Sequence, residues 1–258
     1  MAAESSKKPI RIAHLQLLPL LSGVQRVTLS EVTRLDRNHF EPFVVCKEEG
    51  PLTEALRTAK IPYFCVPELV REISPILDAK ALWRLTRLFR EQRFDVVHTH
   101  SSKTGILGRL AGKLAGVPLV MHTVHGYAFP AAKGTFQSAF YFLMEWIGAR
   151  LTDVLILLNK HDLELAERRL GVPARKLQLL PNGVDVTRFS PVSTETRDLV
   201  RSEVFKAGPN QVVVGMVGRL WEQKNPEGFV KAAIQILESG LASVSFFLIG
   251  DGEKRELL

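Results

Sequence analysis

Apolar, β-branched runs alternate with stretches of helical periodicity along most of this chain. The strand-like runs are Ile10–Leu17, Phe43–Cys46, Tyr63–Val66, Asp95–Thr99, Leu119–Thr123, Val154–Leu158 and Leu177–Leu180. Between them, helical stretches begin near Gly23, Leu52, Ala79, Lys103, Phe136 and Asn159. A run such as Val154–Leu158 has no polar face, so it suits a strand covered on both sides. The alternation predicts βαβ units and a parallel sheet with helices on both faces.

A second cycle comes after these. It has a strand at Gln211–Val217, a helix at Pro226–Leu237, a strand at Ser243–Ile249 and a helix start at Gly252. Pro191–Thr196, rich in Pro, Ser and Thr, separates the two cycles and reads as a linker. The expected organisation is a loose N-terminus over 1–8, a Rossmann-like domain over 9–190, a linker over 191–196 and a partial second Rossmann-like domain over 197–258. Two strands cannot bury both faces of a parallel sheet. Two complete α/β domains need roughly 300–400 residues, so the chain is expected to be a fragment of a longer protein.

Composition narrows the class. Apolar residues make up 46% of the 258 residues and charged residues 24%, as in a soluble globular protein. No apolar run reaches the ~18 residues of a bilayer span, and no apolar segment of signal-peptide type succeeds the N-terminus. The two cysteines, Cys46 and Cys65, end apolar runs and read as buried free thiols in a reducing cytoplasm. The net charge of +7 lies entirely before Thr196, where twenty-six basic residues face nineteen acidic ones. A basic first domain attracts anions such as phosphorylated substrates or an anionic membrane surface. Ala79–Arg93, with Arg84, Arg87, Arg90 and Arg93, and the aromatic stretch Phe136–Leu151 are the helices that such a surface would meet. The same spacings also suit ordinary core-packing helices. Nucleic acid is not an expected partner, because aromatic–basic motifs, a zinc finger and a recognition helix are all missing from the sequence.

In open parallel sheets ligands bind at the carboxyl ends of strands, where the loops lead into helices. After the first strand, Gly23 opens a helix whose free N–H groups suit an anion. After the fourth comes His98-Thr99-His100-Ser101-Ser102-Lys103, and the next strand runs into His122-Thr123-Val124-His125-Gly126. His98 and His100 share a strand face. No carboxylate lies close in sequence, so no metal site is expected, and imidazole hydrogen bonds to a sugar fit better. Asn182-Gly183 is a turn signal, with Asp185 placed to cap the next short helix. In the second cycle Gly218 ends a strand, Arg219 and Lys224 lie in the loop after it, and Pro226 opens a helix, a set that suits a diphosphate clamp. Gly250-Asp251-Gly252-Glu253 is a second strand-to-helix link that permits close approach of a ligand.

The strings FDVVHTHSSKTGILGRLAGKLAGVPLVMHTVHGYAF, LLPNGVDVTRF, VGMVGRLWEQKNPEGF and FFLIGDGEKREL, in this order, resemble the family-four group of retaining GT-B glycosyltransferases, especially bacterial enzymes of capsule, O-antigen and exopolysaccharide synthesis. The resemblance implies a GT-B fold of two Rossmann-like domains, the first for acceptor and the second for nucleotide-sugar. It places Gly23 near the donor phosphates, His125 near the transferred sugar, and Arg219 and Lys224 on the leaving diphosphate. Gly218, Gly250, Gly252 and Glu253 then border the donor. The implied donor is a UDP- or GDP-sugar without metal or other cofactor. The implied acceptor is a sugar or a polyprenyl-linked sugar at the inner membrane face. Two other readings are a non-catalytic remnant and a GT-B sugar-nucleotide epimerase. The chain departs from the family in having Ser22-Gly23 where Gly-Gly is usual. The family's Glu-x7-Glu motif would fall after Leu258. A radiolabelled sugar-transfer assay of the isolated chain is therefore expected to show little or no turnover, and normal turnover would refute that expectation.

Overall fold

The structure, a computed structural model, describes residues 8–132, 134–240 and 243–258. The expected loose N-terminus thus lies outside the described residues up to residue 7. Two compact units divide after Gly183.

The first unit is a seven-stranded parallel sheet. Its strands are β1 (Ile10–Leu15), β2 (Phe40–Cys46), β3 (Tyr63–Cys65), β4 (Val96–His100), β5 (Leu119–Val124), β6 (Val154–Leu157) and β7 (Leu177–Leu179), in the order β3-β2-β1-β4-β5-β6-β7. The connecting helices are α1 (Gly23–Arg34), α2 (Pro51–Thr58), α3 (Pro75–Gln92), α4 (Ser102–Ala115), α5 (Thr135–Arg150) and α6 (Lys160–Arg168). Strand alternation distributes the apolar side chains between two cores. Ala13, Leu15, Phe43, Val45 and Val97 pack with Ala81, Leu85 and Phe89 of α3 and Ala111 of α4. On the opposite face Val44 packs with Val32 of α1 and with Leu52 and Leu56 of α2. Helices therefore cover both faces, as an apolar parallel sheet requires.

Helix α4 sits unusually close to the sheet. A Cβ on Gly108 would lie 2.4 Å from Leu15 Cδ2 and 2.6 Å from Thr99 Cγ2, so only glycine fits there. Beside it, Arg109 is 1% exposed and lies over Gly148 of α5, where a Cβ would come within 2.2 Å of Arg109 Nη2. The guanidinium donates to Gly105 O at 2.9 Å, faces Glu145 at 3.4 Å and reaches Thr152 Oγ1 at 3.5 Å. Burial pulls Arg109 below its ordinary range, while Glu145 works the other way. A cation this deep is tolerated only because its carboxylate partner is buried with it.

The second unit holds β8 (Val212–Val217) and β9 (Val244–Ile249), a parallel pair, with α7 (Thr194–Glu203) and α8 (Pro226–Glu238). Apolar side chains stay open on it, among them Val217 at 77% and Leu237 at 54% exposure.

Several local expectations are corrected. Thr194–Thr196, read as linker, form the first turn of α7, where the Ser193 side chain accepts from Thr196 N at 3.2 Å. Ser and Thr favour a helix N-terminus as readily as a loop. After Gly252 the chain makes only a short 3-10 turn, Arg255–Leu257, rather than an α-helix start. Both cysteines are free and stand in register on β2 and β3, but only Cys46 is buried. Cys65 lies on the three-residue edge strand and is exposed. Among the described residues no helix is long and apolar enough to cross a membrane.

Replacing Glu145 by Ala strands the Arg109 charge in the core. The expected loss is about 3 kcal/mol or more of first-unit stability, read as a lower urea midpoint with unchanged slope.

Candidate functional site

Strands β1 and β4 are neighbours, yet the chain leaves them in opposite directions across the sheet, β1 toward β2 and β4 toward β5. This is the topological switch point, where a crevice opens outside the carboxyl ends. Gly23 begins α1 there, and a Cβ on it would meet nothing within 4 Å. The Ser22 hydroxyl donates to the Gln25 side chain and does not cap the helix, so the first N–H groups of α1 keep their capacity for another acceptor. At the end of β4, Ser101 has φ 63° and ψ 159°, a region that residues other than glycine rarely occupy. Thr104 Oγ1 donates to His100 O at 2.5 Å across that turn and holds it.

The period of the strands decides where the histidines go. His98 and His100 lie on the face of β4 that looks toward α1, and His14 of β1, in register with His98, joins them. His14 Nδ1 is 3.5 Å from His100 Nε2, and His100 Nδ1 is 3.2 Å from His125 Nε2. The Thr123 hydroxyl holds His98 Nε2 at 2.7 Å. Gln16 donates to Thr28 Oγ1 at 2.5 Å, and Thr28 lies 3.4 Å from His100 Nε2. Burial drives His14 down to about 4 and His98 and His100 well below the ordinary histidine range, so all three are neutral at pH 7. His125 is only partly buried and is lowered by the same cause. A neutral imidazole at the sheet edge offers one donor and one acceptor, which suits a sugar hydroxyl.

His122 does not join this group. It points to the other face, 2.8 Å from Thr99 Oγ1 and against Gly105 of α4, and serves packing. Sequence reasoning also missed His14, Gln16, Thr28 and Glu31. The signal for the first two was present, since His14 and Gln16 break an apolar strand at a spacing of two. Glu31 follows Thr28 by three residues on the same face of α1, with its Oε2 3.7 Å from His14 Nδ1. The carboxylate that the histidine loops lack in sequence is thus supplied by tertiary structure.

In the second unit the ends of β8 and β9 cross closely. A Cβ on Gly250 would come within 1.8 Å of Gly218 O, and one on Gly252 within 2.7 Å of Leu220 O. Leu220 N donates to Asp251 O at 3.0 Å, and Lys254 N to Leu220 O at 3.0 Å, which ties the two loops together. Arg219 and Lys224 stand exposed on the first of these loops, with the Arg219 guanidinium 4.3 Å from the Trp221 ring centroid. Asn225 then caps α8 by accepting from Gly228 N at 3.1 Å. Lys254 pairs with Glu227 at 2.7 Å, whereas Glu253 is exposed.

Fold and site together define a protein of Rossmann-like units whose polar groups gather at strand carboxyl ends. Residues 22–183 match the glycosyl transferase 4-like domain, and the chain belongs to that family. It is 46% identical, over 97% of its length, to the UDP-Gal:alpha-D-GlcNAc-diphosphoundecaprenol alpha-1,3-galactosyltransferase of Escherichia coli. It is 29% identical, over 62% of its length, to a D-inositol 3-phosphate glycosyltransferase of Rhodococcus opacus. The chain spans 64% of the first relative and 36% of the second. Among solved structures, Anabaena Alr3699/HepE in complex with UDP and glucose superposes with a TM-score of 0.73 at 17% identity, over 96% of this chain and 63% of that one. This likeness identifies the fold as GT-B.

Proposed function

We propose that this chain belongs to a retaining transferase that moves galactose from UDP-galactose to a sugar carried on polyprenyl diphosphate. The observation that carries the reading is the 46% identity, extending over 97% of the chain, to a galactosyltransferase whose name specifies that donor and a diphosphoundecaprenol-linked acceptor.

The chemistry is governed by where charge develops. Cleaving the bond between sugar and nucleoside diphosphate leaves a new negative charge on phosphate, and preplaced cations stabilise it without rearrangement. In this proposal Arg219 supplies a forked contact and Lys224 a point charge. The Trp221 ring beside the guanidinium limits its freedom, which lowers the ordering cost of that contact. The N-terminus of α1 at Gly23 adds backbone N–H groups on the acceptor side. Gly218, Gly250 and Gly252 keep side chains out of the path of the nucleotide, and Glu253 borders it. His125 holds a hydroxyl of the transferred sugar as a neutral imidazole. Its depressed pKa suits this role, because a cationic ring would compete for the leaving phosphate. The acceptor hydroxyl then attacks from the face that the diphosphate leaves, with phosphate oxygen taking its proton, so the anomeric configuration is kept.

In the native enzyme, Arg219→Ala and Lys224→Ala should each lower kcat by about 10²–10³-fold. A radiolabelled assay with UDP-galactose and a GlcNAc-diphosphoprenol acceptor measures this. Unchanged kcat in both variants would remove the two residues from the reaction. Transfer from GDP-sugars but not from UDP-galactose would overturn the donor.

The same reading includes an anionic membrane as the place where acceptor is met. Ile76, Lys80, Trp83 and Arg87 recur on one face of α3, with Ile76 72% and Trp83 60% exposed. Arg87 lies 5.8 Å from the centre of the Trp83 ring. An apolar row edged by cations suits a headgroup boundary. Binding to vesicles containing phosphatidylglycerol should fall as salt rises through about 0.5 M and weaken in Trp83→Ser. Binding indifferent to both would exclude this surface.

A further inference from the structure

We propose that His14, Glu31, His98 and His100 form a binding site for a divalent transition-metal ion of the zinc or cobalt class beneath the switch point of the first unit, with the three imidazoles buried and Glu31 at the rim.

The donor atoms of these four side chains all lie within 4.8 Å of one another. Two separations describe the cluster most directly: His14 Nδ1 to His100 Nε2 at 3.5 Å, and His14 Nδ1 to Glu31 Oε2 at 3.7 Å. Such spacings are too long for good hydrogen bonds, which run nearer ~2.9 Å for nitrogen to oxygen. They are close to the edge of a tetrahedron around an ion with ligands at about 2.0–2.1 Å, an edge of roughly 3.3 Å. A modest inward shift of each group would complete the shell.

Glu31 Oε2 is buried and accepts no hydrogen bond among the described residues. The nearest alternative partner of His100 Nε2 is the Thr28 hydroxyl, at 3.4 Å. Burial raises the Glu31 carboxyl to about 7, and its buried oxygen faces the imidazole nitrogen of His14 rather than an ammonium or guanidinium group. Three imidazoles and one carboxylate are the donor set that zinc and its neighbours prefer, and calcium or magnesium would want oxygen instead. Burial keeps the three histidines neutral, the form in which imidazole ligates. The surroundings fix the rings as an outer shell does: Thr123 holds His98, and Thr104 holds the backbone of His100.

A consequence reaches the sugar site. An ion on His100 Nε2 leaves the ring proton on Nδ1, which faces His125 Nε2 at 3.2 Å. His125 then accepts at Nε2 and carries its own proton on Nδ1. The ion would thereby set which nitrogen of His125 donates, while taking no part in the departure of the diphosphate.

The test needs no activity. The protein is stripped with a chelator, dialysed and titrated with Co²⁺, with the visible ligand-field band and calorimetry as readouts, and then with Zn²⁺ in competition. One equivalent should bind with a band of tetrahedral intensity, and Zn²⁺ should displace it. Glu31→Gln changes a partly exposed side chain with little effect on packing, and it should weaken Co²⁺ binding at least ~10-fold, as should His14→Gln. His39→Gln, at an exposed histidine paired with Asp36, should leave binding unchanged. Circular dichroism confirms that each variant is folded. The absence of a band with Co²⁺ in excess would overturn the proposal. So would a band that survives intact in Glu31→Gln.

Discussion

The first unit depends on how closely α4 can approach β1 and β4. Gly108 leaves no room for even a methyl group between the helix and Leu15 or Thr99. That contact fixes the depth of α4 and therefore the point at which the chain turns out of β4. The turn is tight enough to force Ser101 to a positive φ. Strain of this kind persists only where its surroundings over-determine it. Here they do, because the Thr104 hydroxyl closes the turn onto His100 O, and α4 cannot retreat without opening a void over Leu15. The position of the histidine-bearing strand end is thus set by packing on the opposite face of the sheet.

Strand parity then sorts polar from apolar without further help. Val97 and Thr99 look toward α4, and His98 and His100 look toward α1. A shift of one residue in the register of β4 would send the imidazoles into the apolar core beneath α3 and α4. It would also bring Val97 and Thr99 against His14. The large apolar cluster on the α4 side therefore protects the polar arrangement on the other, since the wrong register would bury unsatisfied nitrogen and lose packing together. The same burial explains the neutrality of the histidines. Imidazoles removed from water and set side by side cannot all hold protons.

Much of the architecture was legible because the relevant signal is local. Apolar runs located every strand of the first unit, and the helical stretches between them began within a few residues of the observed starts. Three things were not legible. Glu31 is distant in sequence from His98 and His100, and only the βαβ crossover brings α1 over β4. Arg109 and Glu145 are far apart in sequence on two helices, and the glycine at position 148 opens the recess that buries them. Ser193 and Thr194 belong to a residue class that serves both loops and helix caps, so Pro191–Thr196 offered no basis for choosing between them. Conversely His122 faces the packing side because it stands in register with Thr99 and shares its strand parity.

The two units differ in the chemistry they present. Nearly all of the buried titratable groups, including every perturbed histidine, lie in the first unit, where the sheet is covered on both faces. The second unit presents Arg219 and Lys224 in the open, on loops held by backbone hydrogen bonds between glycine-containing crossings. Exposed cations suit a ligand that brings its own high charge, because they need no buried counter-ion. Buried neutral imidazoles suit a ligand recognised by hydroxyl geometry, because they discriminate by direction rather than by charge. The same sequence thus folds a dry polar cluster at one sheet edge of the first unit and leaves a wet cationic loop in the second.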